Sequence, residues 1–288
     1  MNLETIWAAP TAGAAAGSYR GAPMPVELVE RYGGPLEIRI VPDRPTLLAN
    51  FVSTLEGIVA LGPGEERGGA VISGSFEPDR FVMALLRAAA DVLVMGAGTI
   101  AGTSSTHWTA EHLQPDHAAA LARWRRDLGI APQPTTVIVT GSGDVRLGRR
   151  GVDDPAVPVI FATTPSGAQR LRDIELPAHV GIEVLGTGAT LSPSELSTFL
   201  GRFGGQVVLC EGGPHLLGDL IAADVVDELF LTIAPQLIGR DKGRLGLVEG
   251  IGLAPDEALW HNLVSIKRAE DHLFLRYRRI SSPPRRGN

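Results

Sequence analysis

Short apolar runs alternate along most of this chain with amphipathic segments of about a dozen residues. The runs "TLLANFVS", "DVLVM", "TTVIVT", "VPVIFAT" and "QVVLC" are rich in apolar and β-branched residues, which is typical of buried strands. Segments such as "PDRFVMALLRAAA" between them place apolar residues at helical spacing. Strands joined by helices run parallel, in a sheet that is covered on both faces. The pattern therefore predicts a three-layer α/β/α fold.

The two ends of the chain depart from this alternation. The strands "VVDELFLTIAPQLIG" and "HLFLRYRRI" have no clear helix between them, which predicts a mixed, mainly parallel sheet with an antiparallel C-terminal edge. This unit is expected to span residues 44–281, followed by a tail at 282–288. Residues 1–43 begin with an Ala, Gly and Pro-rich stretch and are expected to form a partly flexible N-terminal arm. The segment "VELVERYGG" predicts one short helix in that arm.

Charge and composition exclude several classes of protein. A net charge of −6 over 288 residues argues against a nucleic-acid binder, which usually has a basic face. The single cysteine, Cys210, lies in an apolar run and is interpreted as a core residue. No apolar run reaches the ~18 residues that a membrane span needs. We therefore expect a soluble cytoplasmic protein that binds neither membranes nor nucleic acid.

Glycine-rich turns follow three of the predicted strands, at "GAGT" (96–99), "TGSG" (140–143) and "EGGP" (211–214). Such turns expose backbone N–H groups and let a phosphate approach closely. In a parallel sheet all three would lie along one edge, which favours a bound dinucleotide. A bulky residue in place of Gly212 is then expected to abolish cofactor binding while leaving the fold intact.

Other kinds of site find less support. The residues His107, His112 and His117 are spaced by five, which scatters them around a helix and argues against a metal site. Asp227 and Glu228 are adjacent on a predicted strand and point to opposite faces, so structural roles are expected for them. No G-x-S-x-G motif of a serine hydrolase is present.

Three longer segments together resemble one enzyme family. They are "ANFVSTLEG", "DRFVMALLRAAADVLVMGAGTI" and "VVLCEGGPHLLGDLIAADVVDELFLTIAPQLIG". From about Arg44 to Ile280, the chain resembles the reductase domain of the bifunctional riboflavin biosynthesis enzymes, which has the dihydrofolate reductase-like fold. The resemblance implies a pyrimidine reductase in riboflavin biosynthesis. Such an enzyme uses NADPH, with NADH as the alternative cofactor, to reduce an amino-pyrimidine ribosyl phosphate. It also implies a homodimer, with the V-D-E-L strand and its neighbour at the sheet edge as the seam.

The resemblance also implies roles for individual residues. Its cofactor-binding positions are Gly96, Gly98, Thr99, Thr140, Ser142, Glu211, Gly212 and Gly213. Its substrate-binding positions are Asn50, Ser53, Glu56, Gly57 and Glu211, and Glu56 is the candidate catalytic carboxylate. Because a carboxylate repels phosphate, Glu211 is expected to turn toward a ribose hydroxyl, a backbone N–H or the substrate. The chain reads T-L-E-G-I where the family usually reads S-L-D-G-K, so Ile58 replaces a lysine.

Two alternative functions remain open at this point. One is a pterin or dihydrofolate reductase on the same scaffold. The other is a nucleotide-binding protein that has lost catalysis and senses a cofactor. A flavin or deazaflavin as hydride carrier is a further option for the enzyme.

Overall fold

The computed structural model describes residues 1–10, 18–62, 68–102, 107–145 and 150–280. The whole predicted C-terminal tail, 282–288, and residues 11–17 of the predicted arm lie outside the described residues.

In the described part of the chain, ten strands form one sheet. In spatial order they are β1 (Glu4–Ala8), β13 (His261–Ala269), β14 (His272–Arg279), β11 (Val226–Ile233), β4 (Thr46–Ser53), β10 (Val207–Cys210), β6 (Val92–Gly96), β7 (Thr135–Thr140), β8 (Val159–Thr163) and β9 (Val180–Val184). The strands from β11 to β9 are parallel. Strands β14, β13 and β1 add to them antiparallel. The predicted mixed sheet with an antiparallel edge is confirmed.

Two small sheets and ten helices complete the described architecture. The small sheets pair β5 (Ile58–Ala60) with β12 (Leu245–Gly246) and β2 (Ser18–Tyr19) with β3 (Arg39–Ile40). The helices are α1 (Val26–Tyr32), α2 (Gly68–Ile72), α3 (Glu77–Ala89), α4 (Ala97–Gly102), α5 (Ala110–Leu113), α6 (Ala118–Asp127), α7 (Arg150–Asp153), α8 (Pro165–Arg172), α9 (Pro193–Gly201) and α10 (Pro214–Ala222). A 3₁₀ turn at Pro115–His117 precedes α6.

The sheet is buried on both faces because its central strands carry apolar side chains on both of their faces. On β4, Leu48 belongs to the core that contains α1, α3 and α6. Its neighbours Leu47 and Ala49 belong to the core under α9 and α10. Successive strand residues point to opposite faces, so the continuous apolar run of the sequence becomes two cores. Cys210 is fully buried in the second core, as predicted.

The described part of the N-terminal segment packs against the sheet, which differs from the expectation of a loosely held arm. β1 pairs with β13, and α1 buries Leu28 and Tyr32, four residues apart on one face. The predicted helix is confirmed and ends at Gly33, whose φ is 73°. Lys267 on β13 donates to the Gly33 carbonyl at 2.8 Å and so ties α1 to the sheet.

Strand β11, with the V-D-E-L motif, lies inside the sheet between β4 and β14. The expectation that it lies at the sheet edge is wrong. Both of its hydrogen-bonding edges are occupied, and β1 forms the outer edge instead. A bulge interrupts β1 between Thr5 and Trp7.

Asp227 and Glu228 have the structural roles that were predicted. Asp227 accepts hydrogen bonds from the Leu47 amide at 2.9 Å and from Arg44 at 2.6 and 2.8 Å. Glu228 is buried and accepts from Arg276 at 2.7 Å and from Arg278 at 2.8 Å. These pairs join β11 to the start of β4 and to β14.

Candidate active site

The carboxyl ends of the parallel strands lie along one edge of the sheet. Strand β10 pairs with β6, and β6 pairs with β7, so the three glycine-rich turns that follow these strands are neighbours. The expectation that the three turns line one edge is confirmed. The ends of β4 and β11 continue the same edge on the other side of β10. In sheets of this type ligands bind at such an edge.

The E-G-G turn packs directly against the end of β6. A Cβ atom on Gly212 would lie 2.5 Å from the Met95 Cα and 2.6 Å from the Gly96 nitrogen. Gly213 has φ of 62°, and a Cβ atom there would lie 3.4 Å from the Thr99 Oγ1. Backbone packing therefore requires glycine at 212. The expectation that a bulky residue at this position leaves the fold intact is wrong.

Open backbone is found instead at two other glycines of the predicted cofactor turns. Among the described residues, a Cβ atom on Gly98 or on Gly141 would meet no atom of another part of the chain within 4 Å. Gly98 belongs to α4, which begins where β6 ends, and it is exposed. A phosphate could reach the backbone at these positions without moving a side chain.

Glu211 forms a buried ion pair that the sequence did not reveal. Its carboxylate accepts hydrogen bonds from the Arg87 Nε at 2.9 and 3.1 Å and from the Arg87 Nη2 at 2.6 Å. The side chains are 5% and 7% exposed. The expected turn of Glu211 toward a ribose hydroxyl, a backbone N–H or the substrate is not seen, because a buried carboxylate needs a cation. One feature of the sequence could have indicated this ion pair: Arg87 lies in an otherwise apolar stretch of α3, where a buried cation needs an anionic partner.

Asp79 is a second buried carboxyl group close to Glu211. It lies in the first turn of α3, close to the side chains of Thr232 on β11 and of Ser73. Burial raises the pKa of Asp79 to about 6, and the negative charge of Glu211 adds to the rise. The sequence analysis did not single out Asp79, because Thr232 and Glu211 are far from it along the chain.

The predicted substrate residue Asn50 lies within β4, three residues before the carboxyl end of the strand. It lines a small cavity of about 10 Å³, enough for about one water molecule, on the face covered by α1 and α3. Tyr32, Thr232 and Arg276 line the same cavity. Ser53 lies at the edge itself, where its carbonyl accepts a hydrogen bond from the Ala234 amide at 2.8 Å.

Glu56 holds the loop that follows β11. Its Oε1 accepts hydrogen bonds from the amides of Ile238 at 2.7 Å and Gly239 at 2.8 Å. The Thr54 hydroxyl and these amides lower the pKa of Glu56 to about 2. The group therefore stays ionised at neutral pH, which favours a positioning role over the catalytic role expected for it. The neighbouring Gly57 has φ of 86°, which explains the glycine in this turn.

The turn after β7 is held together by its own hydroxyl groups. Thr140 accepts a hydrogen bond from the Gly143 amide, and Ser142 accepts one from the Asp144 amide, both at 3.1 Å. The exposed Arg170 of α8 donates to the Ser142 carbonyl at 3.1 Å. This places a cation beside the turn, which the sequence analysis missed because Arg170 is 28 residues away.

The remaining predictions concern metals and membranes. The rings of His107 and His112 lie 5.2 Å apart, and His107 Nδ1 lies 3.2 Å from Asp154. No group of three or more His, Cys, Asp or Glu side chains suited to a metal ion occurs among the residues that the structure describes. None of the described helices combines the length and apolar character that crossing a membrane requires.

Proteins with similar sequences or structures include pyrimidine reductases. A curated relative, the 2,5-diamino-6-ribosylamino-4(3H)-pyrimidinone 5′-phosphate reductase of Archaeoglobus fulgidus, is 28% identical over 196 residues, which cover 68% of this chain and 83% of the relative. A pyrimidine reductase-like protein from Corynebacterium diphtheriae has a TM-score of 0.63 at 19% identity, over 83% of this chain and 94% of the other.

RibD from Acinetobacter baumannii has a TM-score of 0.59 at 18% identity over 83% of this chain, which spans only 59% of the RibD chain. The chain thus shares the fold of these two solved structures. Residues 45–269 match the family described as the RibD C-terminal domain. The chain therefore belongs to the RibD C-terminal domain family.

Proposed function

We propose that this protein is an NADPH-dependent reductase of riboflavin biosynthesis, which transfers a hydride to a ribosylamino-pyrimidine phosphate. The observation that carries the proposal is the adjacency of two features at one sheet edge. The paired turns with open backbone at Gly98 lie beside the buried cluster of Arg87, Glu211 and Asp79. The archaeal relative named above acts on a substrate of this class by its name.

The cofactor turns fit a dinucleotide. The open backbone at Gly98 and Gly141 and the N-terminus of α10, which follows Gly213, offer N–H groups to phosphates. Arg170 beside Ser142 offers a cation to the 2′-phosphate that distinguishes NADPH from NADH. When bound, the nicotinamide would supply the hydride for the reduction.

The ends of β4 and β11 would form the substrate side of the site. Glu56 fixes the loop after β11, and the turn at Gly57 lies beside it. The role of the protein is then to hold the nicotinamide and the substrate in contact, in the orientation that hydride transfer requires. As the resemblance implies, we also propose a homodimer in the cytoplasm. Because β11 has no free edge, such a dimer would not form by strand pairing at β11.

Direct titration tests the cofactor half of the proposal. The purified protein is titrated with NADPH and with NADH, and nicotinamide fluorescence and thermal stability are followed. We expect saturable binding of both, with NADPH binding more tightly. Failure of both to bind would overturn the reductase proposal and would favour another hydride carrier.

A pterin reductase is the second candidate function, and Asp79 is the observation that favours it. A pterin ring has the same 2-amino-4-oxo edge as an amino-pyrimidinone, so one buried carboxylate would suit both rings. Dihydropterins are therefore the second substrate class to be tested for NADPH oxidation.

A further inference from the structure

One face of the antiparallel part of the sheet carries apolar side chains that remain partly exposed. Ser265, Phe274 and Arg276 point to the other face, where they line the small cavity together with Tyr32 of α1. Because successive strand residues point to opposite faces, the residues that alternate with these three share the exposed face. We call this face of β1, β13, β14 and β11 the open face.

Cross-strand pairing arranges the open face in three rows. The middle row runs from β11 across β14 and β13 to β1 and consists of Leu231, Leu275, Ile266 and Trp7. The rows on either side of it consist of Leu229, Tyr277 and Leu263, and of Ile233, Leu273, Arg268 and Glu4. Apart from Arg268 and Glu4, these side chains are apolar or aromatic. All of them are at least partly exposed, Trp7 to 42% and Leu273 to 36%.

The open face has the size of an interaction surface. At the usual spacings of strands and residues, three rows over four strands cover on the order of 400 Å². The largest apolar patch on a typical monomer is about 300–600 Å², and such patches often mark interaction sites. Face-to-face packing of two equal patches would cover roughly twice the area of one, which approaches the ~1,000 Å² that a specific interface needs.

The open face also continues the second hydrophobic core of the protein. Leu229 and Leu231 already pack against that core, which lies under α9 and α10. The other side chains of the rows extend it across β14 and β13 to the surface. An apolar sheet face is stable when another element packs on it, so a partner on the open face would complete the second layer.

The segments outside the described residues are poor candidates to cover the open face. They are residues 11–17, 63–67, 103–106, 146–149 and 281–288. Leu147 is the one large apolar residue that these five segments contain. Three rows of apolar side chains need more apolar cover than one leucine provides.

Charged groups on and beside the open face are paired within the chain. Arg268 binds Glu4 at 2.7 Å, and Arg279, two residues after Tyr277 on the same face of β14, binds Asp224 at 2.5 Å. This suits a second copy of the chain, because a two-fold interface brings identical surfaces together and an unpaired charge would repel its own copy. Adsorption to a membrane surface usually relies on unpaired lysine or arginine beside the apolar residues.

We propose that two copies of this chain associate through the open face, packed face to face about a two-fold axis. The inference rests on the homodimer of the proposed function and assigns its contact surface. It agrees with the position of β11 inside the sheet, since packing of two faces needs no free strand edge. It also gives Trp7 a function, because this exposed residue lies beside Ile266 in the middle row.

Sedimentation velocity of the full-length protein tests the inference. We expect the wild-type protein to sediment as a dimer at micromolar concentration. Leu273→Glu places a carboxylate on the open face of each copy, so we expect the Kd of the dimer to rise at least roughly 10-fold. Ile174→Glu is the matched control, because Ile174 is 38% exposed and lies just after α8, and it should leave the Kd unchanged.

A second variant keeps the test decisive if Leu273→Glu does not fold. Trp7→Ser removes the largest side chain of the middle row from an edge strand, where the loss disturbs the fold least. It should also raise the Kd of the dimer, while circular dichroism shows that the protein remains folded.

The outcomes separate the contact surface from the reaction. A wild-type protein that stays monomeric would overturn the inference together with the homodimer, and its binding to phosphatidylglycerol vesicles would assign the open face to a membrane. A dimer whose Kd is the same in Leu273→Glu, Trp7→Ser and Ile174→Glu would overturn the open face alone. A dimer that behaves as expected but never oxidises NADPH overturns only the proposed reaction.

Discussion

The guanidinium group of Arg87 donates three hydrogen bonds, of 2.6 to 3.1 Å, to the carboxylate of Glu211. The two side chains come from α3 and from the turn after β10, and both are almost completely buried. The pair joins the helix that carries Asp79 to the turn that packs against the end of β6. The candidate substrate side and cofactor side are thus connected through one ion pair.

Arg87→Met should be strongly destabilising because it leaves a buried carboxylate without a cation. We expect the free energy of unfolding to fall by about 3–5 kcal/mol, measured by urea denaturation. Arg202→Met removes a surface ion pair with Glu183. The two side chains are 60% and 38% exposed, so this substitution should change the free energy of unfolding by less than about 1 kcal/mol. Equal effects of the two substitutions would contradict the importance of the buried pair.

Asp79→Asn should change how stability depends on pH. The carboxyl group has a folded-state pKa raised from 3.8 to about 6, so the folded protein retains the proton in this window while the unfolded chain loses it. The stability of the wild type therefore falls as the pH rises from about 4 to about 6, by on the order of 2 kcal/mol.

The asparagine variant lacks this loss, so its stability relative to the wild type should be greater at neutral pH than at about pH 4. Chemical denaturation at several pH values measures the difference. A pH-independent difference between the two proteins would show that Asp79 titrates normally.

Gly212→Ala and Gly98→Ala should separate packing from cofactor binding. The methyl group at 212 would overlap the backbone at Met95 and Gly96, so we expect a loss of about 3 kcal/mol in the free energy of unfolding. The methyl group at 98 meets nothing and should leave stability unchanged or slightly higher.

A charged residue at position 98 tests whether this turn binds the cofactor phosphate. Gly98→Asp places a carboxylate where the cofactor phosphate is proposed to bind, so we expect at least a 10-fold rise in the Kd for NADPH, by fluorescence titration. The melting temperature should stay close to that of the wild type. Unchanged affinity would exclude this turn from the cofactor site.

Arg170→Ala should weaken the binding of NADPH and leave the binding of NADH unchanged. The side chain lies beside the Ser142 carbonyl and is proposed to contact the 2′-phosphate, which only NADPH has. The expected loss is roughly 10-fold in affinity, the size of a partly exposed charge-assisted hydrogen bond. Arg172→Ala, on the same helix and also exposed, is the matched control. A parallel loss for both cofactors would argue against 2′-phosphate recognition.

Local patterns in the sequence predicted the parallel core of the fold well. The capping box of Ser192 and Glu195, the helix end at Gly33 and the strands β4, β6, β7 and β10 are encoded in residues close along the chain. The edge strand β1 was missed because it pairs with β13, more than 250 residues away. For the same reason, β11 could not be placed inside the sheet.

The site was predicted in outline and differs in its contacts. The positions of the three turns follow from strand order, which the sequence pattern implies. The contacts of Glu211 and Asp79 cannot be read from the sequence pattern, because Arg87 is 124 residues from Glu211 and Thr232 is still farther from Asp79. Glycine at 212 is explained by close backbone packing, which no local pattern distinguishes from an open phosphate site.

The most direct test is a single-turnover reaction of the protein with NADPH and 2,5-diamino-6-ribosylamino-4(3H)-pyrimidinone 5′-phosphate, the substrate in the name of the archaeal relative. Transfer from NADPH deuterated at C4 is followed by mass spectrometry of the product. The account predicts one deuterium on the reduced ribityl carbon for each NADPH oxidised. A protein that binds both compounds yet leaves NADPH unoxidised would contradict it.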